Sequence, residues 1–168
     1  MGSWIDDDGF TSEDDRVVRQ AWRNPRTLEF ANLGQEGHQV TIPTKAHYGD
    51  AGWDLYVSAG VVVRAGEFVD VPCGVGCALP TGTWGLLTGR SSTLRNRGLL
   101  VHQGVIDEGY RGELYAGVFN LTREDVLVEA GARIAQLIVV PMHVHAGVFV
   151  DQLREGERGA RGFGSSGV

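Results

Sequence analysis

Gly104-Val105-Ile106-Asp107-Glu108-Gly109-Tyr110-Arg111-Gly112-Glu113-Leu114-Tyr115-Ala116 is the stretch on which the reading of the fold turns. An apolar run ends in a carboxylate, a Gly-aromatic-basic turn follows, and a second strand-like run begins at Leu114-Tyr115-Ala116. The pattern predicts a β-hairpin, because tight turns take residues that tolerate positive φ. A plain hairpin accounts for the glycines and leaves the company at the tip unexplained. An acid, an aromatic ring and an arginine crowd into a few positions. Those residue types serve a loop that stacks on a flat ring, excludes a bulky sugar and activates a water.

Outward from this stretch, short β runs separated by Gly, Pro or Thr continue in both directions. Expected strands are Val61–Val63, Phe68–Val71, Val75–Leu79, Gly85–Thr88, Leu99–Val101, Leu114–Asn120, Val126–Val128, Ile134–Val140 and Val144–Val150. Turns such as Ala65-Gly66-Glu67, Pro80-Thr81-Gly82 and Glu129-Ala130-Gly131 recur at the spacing of an all-β sandwich or barrel. One short internal helix is expected at Ser92–Arg97, with a Ser start and Gly98 at its end. Residues 1–37 read differently. Ser12-Glu13-Asp14-Asp15 resembles a capping box, Val17, Val18, Ala21 and Trp22 share one helical face, and Asn24-Pro25 stops the helix. The expected organisation is an N-terminal helical extension over 1–37, a β domain over 38–153 and a flexible C-terminal arm over 154–168.

Composition limits the function. The chain has 168 residues and 42% hydrophobic content, enough for one core. No apolar run is long enough to span a bilayer, and the acidic start Met1-Gly2-Ser3-Trp4-Ile5-Asp6-Asp7-Asp8 is unlike a signal peptide, so a soluble, cytoplasmic protein without a membrane partner is expected. A net charge of −6 argues against a nucleic-acid polymer as partner, since phosphate neutralisation carries such binding. A single nucleotide remains compatible, because arginines cluster locally at Arg90, Arg95 and Arg97 and at Arg154, Arg158 and Arg161. Cys73 and Cys77 are too few for a disulfide framework and lack a second ligand pair for a metal, so they read as buried free thiols.

Four further stretches carry chemistry, each with a plain alternative. In Ala51-Gly52-Trp53-Asp54-Leu55-Tyr56, Asp54 reads as a solvated strand residue or as a carboxylate near a metal-bound water. Gly89-Arg90-Ser91-Ser92-Thr93-Leu94 reads as an ordinary Ser N-cap, or as a phosphate site at a helix start with Arg90 supplying charge. Arg133 and Gln136 interrupt the apolar strand Gly131-Ala132-Arg133-Ile134-Ala135-Gln136-Leu137, either as locally satisfied edge groups or as part of a site. The tail Arg158-Gly159-Ala160-Arg161-Gly162-Phe163-Gly164-Ser165-Ser166-Gly167 reads as disorder or as a phosphate wrap, and its lone aromatic favours docking.

Taken in order, AGWDLY, GRSS, GVIDEGYRGE, GARIAQL and RGARGFGSSG resemble the five motifs of the trimeric dUTP diphosphatase (dUTPase) family, from Ile42 to the C-terminus. The resemblance implies a jelly-roll-like β-clip subunit and a homotrimer whose active sites each draw on three chains. The first, second and fourth motifs would come from one subunit, the hairpin from another and the tail from a third. It implies hydrolysis of dUTP to dUMP and pyrophosphate, limiting uracil in DNA and supplying dUMP for dTMP synthesis. Asp107 would position and deprotonate the attacking water. Mg²⁺ would be bound by the triphosphate, with no direct protein ligand and Asp54 reaching its water shell. Arg90, Ser91, Ser92, Gln136, Arg158, Ser165 and Ser166 would contact phosphates. Val101, Val105, Ile106, Asp107, Tyr110, Tyr115 and Phe163 would contact base and sugar, Tyr110 leaving no room for a 2′-hydroxyl and Phe163 stacking on uracil. Backbone groups that pair with uracil mismatch cytosine, which can discriminate by roughly 10⁴ or more.

Four positions depart from the family pattern: Ser92 for glycine, Val101 for asparagine, Ala132 for an acid and Arg161 for a tail glycine. A dCTP deaminase, or a bifunctional deaminase and dUTPase, is the nearest rival reading. Those relatives need a glutamate where this chain has Gly117, and glycine moves no proton. A regulatory binding protein on the same fold is the rival from another class, and the 1–37 segment leaves room for an unidentified protein partner.

Overall fold

The computed structural model describes residues 27–156 and 159–160. The helix expected within 1–37 therefore lies outside the described residues, as do Arg158, Arg161, Phe163, Ser165 and Ser166 of the arm. Eleven strands follow in chain order: β1 (Glu29–Asn32), β2 (Gly52–Tyr56), β3 (Val61–Val63), β4 (Phe68–Pro72), β5 (Val75–Ala78), β6 (Thr83–Gly89), β7 (Leu99–Val101), β8 (Gly104–Ile106), β9 (Tyr115–Asn120), β10 (Val126–Val128) and β11 (Arg133–Pro141). One helix, α1 (Ser91–Arg97), sits between β6 and β7. All pairings are antiparallel, in sheets ordered β2-β11-β6-β8, β4-β9-β7, β1-β5 and β10-β3. The expected all-β fold with one short internal helix is what forms.

Alternation turns the apolar residues inward. Leu55, Val63, Val71, Leu87, Leu99, Val118 and Leu137 are each no more than 2% exposed and come from seven different strands. Asn120, the one polar residue among the described ones with no exposure at all, is fully partnered. Its Nδ2 donates to Val63 O and Glu124 O, both at 2.8 Å, and its Oδ1 accepts from the Thr122 amide and hydroxyl. A buried amide left unpaired would cost roughly 1–3 kcal/mol, so Asn120 fixes the approach of β3 to the β9–β10 turn.

Four expectations from sequence need correction. The first is the hairpin. β8 pairs with β6 and β9 pairs with β4 and β7, so the two runs flanking the tip lie in different sheets. The chain does fold back, at Leu99–Val101 against Val118–Asn120, but beyond this pairing the strands splay. Second, strand structure begins before residue 38. Glu29–Asn32 pairs with β5, and Leu28 and Phe30 pack on the core; three of the strand's four residues are exposed, so no apolar face marks it in sequence. Third, Val144–Val150 forms no strand, and Val144, Val148 and Phe149 are at least 80% exposed. Among the described residues nothing pairs with it. Fourth, α1 starts at Ser91 and its N-cap is Arg90, which makes no side-chain cap bond, so there is no Ser N-cap. Its end is as expected: Gly98 sits at φ 64° and its N–H reaches Leu94 O.

Cys73 and Cys77 are free and buried, as expected. Burial pushes the Cys73 thiol up to about 12 and also raises that of Cys77. Thiolate is the reactive form, so at pH 8 both should resist a thiol reagent in the native protein. A colorimetric thiol assay should register two reactive groups per chain only after denaturation; rapid native labelling would contradict the packing.

Candidate active site

Asp54 lies on β2, and β2 pairs with β11, the longest strand. The register sets Asp54 opposite Gln136 on β11, and Gln136 opposite Thr88 on β6. β6 ends one residue before Arg90, whose amide donates to Ile134 O on β11 and whose side chain turns back to Asp54. Arg90 Nε meets Asp54 Oδ1 at 2.6 Å, and Arg133 Nη1 meets Oδ2 at 3.1 Å. The Asp54 carboxylate is 10% exposed, so the pair with Arg90 is shielded from water and stronger than a surface bridge. Two arginines on one carboxylate leave a net positive charge at the mouth of α1.

The helix start presents Ser91 and Ser92 beside these arginines. Two clefts open around α1, and Arg90 lines both. One, of about 740 Å³, takes in Gly89, Ser91, Leu94 and Val101; the other, of about 360 Å³, is lined by Ser92, Asn96, Arg97 and Arg133. Gln136 Nε2 donates to Gly89 O at 3.1 Å, which places its amide at the same corner. Gly52 makes that position accessible: a Cβ there would lie 2.9 Å from Gln136 Cδ. Asp54, Arg90, Ser91, Ser92, Gln136 and Val101, separated by up to 82 positions in sequence, thus form one cationic, hydrogen-bonding corner.

A second group sits elsewhere. Asp107 is exposed and directly follows β8. The Tyr110 amide donates to Asp107 O at 3.0 Å, closing a turn, and Tyr110 Oη donates to Glu113 O at 2.8 Å. Tyr110 lies over Gly112, where a Cβ would come 2.7 Å from its Cζ. Arg111 donates to Glu108 O and Tyr110 O, so it braces the tip from within. Tyr115 Oη donates to Glu113 Oε2 at 2.8 Å, and that bond, with lesser help from desolvation, raises the phenol above its ordinary value. Val105 and Ile106, on β8, belong to this group.

The two groups do not meet within one chain. Ile106 is opposite Gly85 on β6, whereas Arg90 lies five residues further along, about 17 Å of extended chain. Asp107 continues away from that end. Arg133 was recognisable in sequence only as a cation interrupting an apolar strand; its grip on Asp54 depends on the β2–β11 register. Glu108 and Glu113 carried no sequence signal beyond flanking the tip. Among the described residues no cluster of three or more His, Cys, Asp or Glu could hold a metal ion. Both Asp54 oxygens are engaged by arginines, so this donor set suits a cation carried by a phosphate ligand and met through water.

An all-β clip with a cationic corner at a helix start and a separate acidic-aromatic tip defines a nucleotide-binding class of site. Comparison with known proteins gives the family: residues 38–167 match the dUTPase family, and the chain belongs to it. A deoxyuridine 5′-triphosphate nucleotidohydrolase of Nocardia farcinica is 44% identical over 131 residues, covering 76% of this chain and 79% of that protein. The dUTPase of Staphylococcus bacteriophage 80alpha, solved with dUPNHPP, superposes with a TM-score of 0.74 at 30% identity, covering 84% of this chain and 99% of that one. A mutant dUTPase from phage phi11 of S. aureus, described as coordinating a structural Mg(II) ion, gives 0.67 at 25% identity over 75% of this chain and 97% of that one.

Gly52→Ala should drive the Gln136 amide from its corner without touching the tip. Affinity for a non-hydrolysable deoxyuridine triphosphate should fall roughly tenfold, the worth of about one hydrogen bond to a charged group. Affinity for deoxyuridine itself should hold. Titration calorimetry with both ligands checks the split.

Proposed function

We propose that this chain hydrolyses dUTP to dUMP and pyrophosphate by attack of water on the α-phosphorus. The observation that carries the reading is Asp107, exposed at the end of β8 on an internally braced tip, in a chain that belongs to the dUTPase family. Asp107 takes the proton of the attacking water. Tyr110, held over Gly112, packs on the deoxyribose where a 2′-hydroxyl would need space. Arg90, Ser91, Ser92 and Gln136 hold the phosphates, and Arg158, Ser165 and Ser166 of the arm complete their shell while Phe163 covers the uracil. A Mg²⁺ ion, held through the triphosphate, would supply positive charge against the developing negative charge on the phosphate oxygens. Asp54 orients Arg90 and would meet such an ion only through water.

The splayed strands support a base-reading slot. β8 is the last strand of its sheet, so alternate backbone groups of Val105 and Ile106 face away from β6 without strand partners. A true hairpin would have consumed those groups on β9. Beside Val101 and Tyr115 they offer the donors and acceptors that uracil matches and cytosine opposes. Deamination finds no support at Gly117. It is buried, and a Cβ there would sit 2.7 Å from Phe68 Cζ, so no glutamate fits without displacing that ring.

The separation of Asp107 from Arg90 supports a site completed between copies of the chain, with a homotrimer as the assembly. The exposed apolar run from Met142 to Leu153 supports it as well, since Val144, Val148, Phe149 and Leu153 have no cover among the described residues. No helix among the described residues is long and apolar enough to cross a membrane; the cytoplasm is the place of action that goes with this reading. Within 1–37, Leu28–Asn32 belong to the β domain, which leaves room for an unidentified protein partner only in the part before them.

Asp107→Asn should lower turnover by about 10²–10⁴ while sparing nucleotide binding. A product assay should find pyrophosphate from dUTP and no ammonia from dCTP; ammonia at a comparable rate would sink the assignment. Asp107→Asn and Arg90→Ala chains should each be inactive alone and regain part of the activity when refolded together. Failure of the mixture to recover would place both residues in a single chain's site.

A further inference from the structure

We propose that Glu108 is a positioning residue for Asp107, one of two carboxylate clamps, with Glu113, that fasten the tip across β5. The inference rests on the dUTP-hydrolysing reading above. Glu108 Oε2 accepts from the Gly82 amide at 3.0 Å, and Glu113 Oε1 accepts from the Gly74 amide at 2.8 Å. Gly74 directly precedes β5, and Gly82 lies four residues after it, so the two clamps grip opposite ends of one strand. Both glycines have positive φ, 67° and 75°, which aims their amides out of their turns. Between the clamps the tip rests on the strand itself. A Cβ at Gly76 would lie 2.9 Å from Gly112 O and 3.3 Å from Arg111 O, so only glycine permits that approach.

Among the described residues, these are the only side-chain hydrogen bonds from 107–113 to anything beyond the tip and Tyr115. All others close the tip on itself, which sets its shape but not its place. Charge-assisted bonds from backbone N–H to carboxylate are short and directional, and so are suited to setting place. Glu108 is adjacent to Asp107, so its anchor fixes where the base stands relative to a neighbouring copy's phosphate corner. Glu113 instead governs Tyr115 and, through its carbonyl, Tyr110. The Gly82 carbonyl also accepts from the Met142 amide at 2.8 Å, so the turn that Glu108 grips seats the start of the C-terminal run.

The two clamps should therefore separate kinetically. Glu108→Ala should lower kcat roughly 10- to 100-fold, the scale of a misplaced reacting group, with KM and analogue affinity near wild type. Glu108→Gln keeps an oxygen acceptor and should restore most of kcat. Glu108→Asp, too short to reach Gly82, should behave as Glu108→Ala and serves in its place if the alanine chain does not assemble. Glu113→Ala should chiefly raise KM. Steady-state assays on dUTP, with analogue binding and melting temperature measured alongside, give the answer. Wild-type kcat in Glu108→Ala or Glu108→Asp, or equal loss in Glu108→Gln, overturns the clamp. A wild-type chain that releases no pyrophosphate from dUTP would instead refute the underlying reading.

Discussion

The Asp54 carboxylate, held between Arg90 and Arg133, is the interaction on which the rest of the phosphate corner depends. Removing a carboxylate from water costs several kcal/mol unless opposite charge and hydrogen bonds replace the solvent. Here two guanidinium groups do so, one from the end of β6 and one from the start of β11. The carboxylate therefore locks three elements that meet at the mouth of α1. Thr93 adds a buried bond from its hydroxyl to Ile134 O at 2.7 Å, which pins the helix to the same strand. With the arginines in excess, the corner stays cationic although the whole chain carries a net charge of −6. Local geometry, and not net charge, sets its affinity for anions.

β11 is the organiser of that corner. It pairs with β2 on one side and β6 on the other, and it contributes Arg133, Gln136 and the carbonyl of Ile134 within four residues. The register shift between Arg133 and Ala135 lets Arg133 turn toward Asp54 while Ile134 and Ala135 stay buried. The tip depends on a different element, β5, whose flanking glycine amides receive Glu108 and Glu113. Two supports about a strand length apart make two half-sites. On the proposed reading each half is completed by another copy, which gives the exposed run after Met142 a physical purpose.

Much of this was legible in the sequence. Nine of the eleven strands among the described residues lie where apolar runs between turn residues place them, because the period of a half-buried strand is written residue by residue. The site residues were visible by type and place: Arg133 and Gln136 interrupt an apolar strand, Arg90 precedes a helix start, and Asp54 is a carboxylate among apolar and aromatic residues. The family followed from the order of the motifs. Glu29–Asn32 escaped because it is exposed at three of its four positions and so shows no apolar face, and Gly52–Tyr56 stood out only through Asp54; Gly104–Ile106 is legible as a strand, and only its partner differs. Val144–Val150 is apolar enough for a strand but has no neighbour among the described residues, and a strand needs one to satisfy its backbone.

What the sequence by itself determined was the strand pattern, the buried thiols, the αL glycine that ends α1 and the chemical inventory of the site. Each follows from local preference or from the period of burial, which a short window contains. Only the tertiary structure decided that the run at Gly104–Ala116 is no hairpin, that Arg133 and Arg90 share one carboxylate, and that Glu108 and Glu113 reach the amides flanking β5. Those are long-range pairings set by sheet order and register, and no window of sequence encodes which strand will lie beside which.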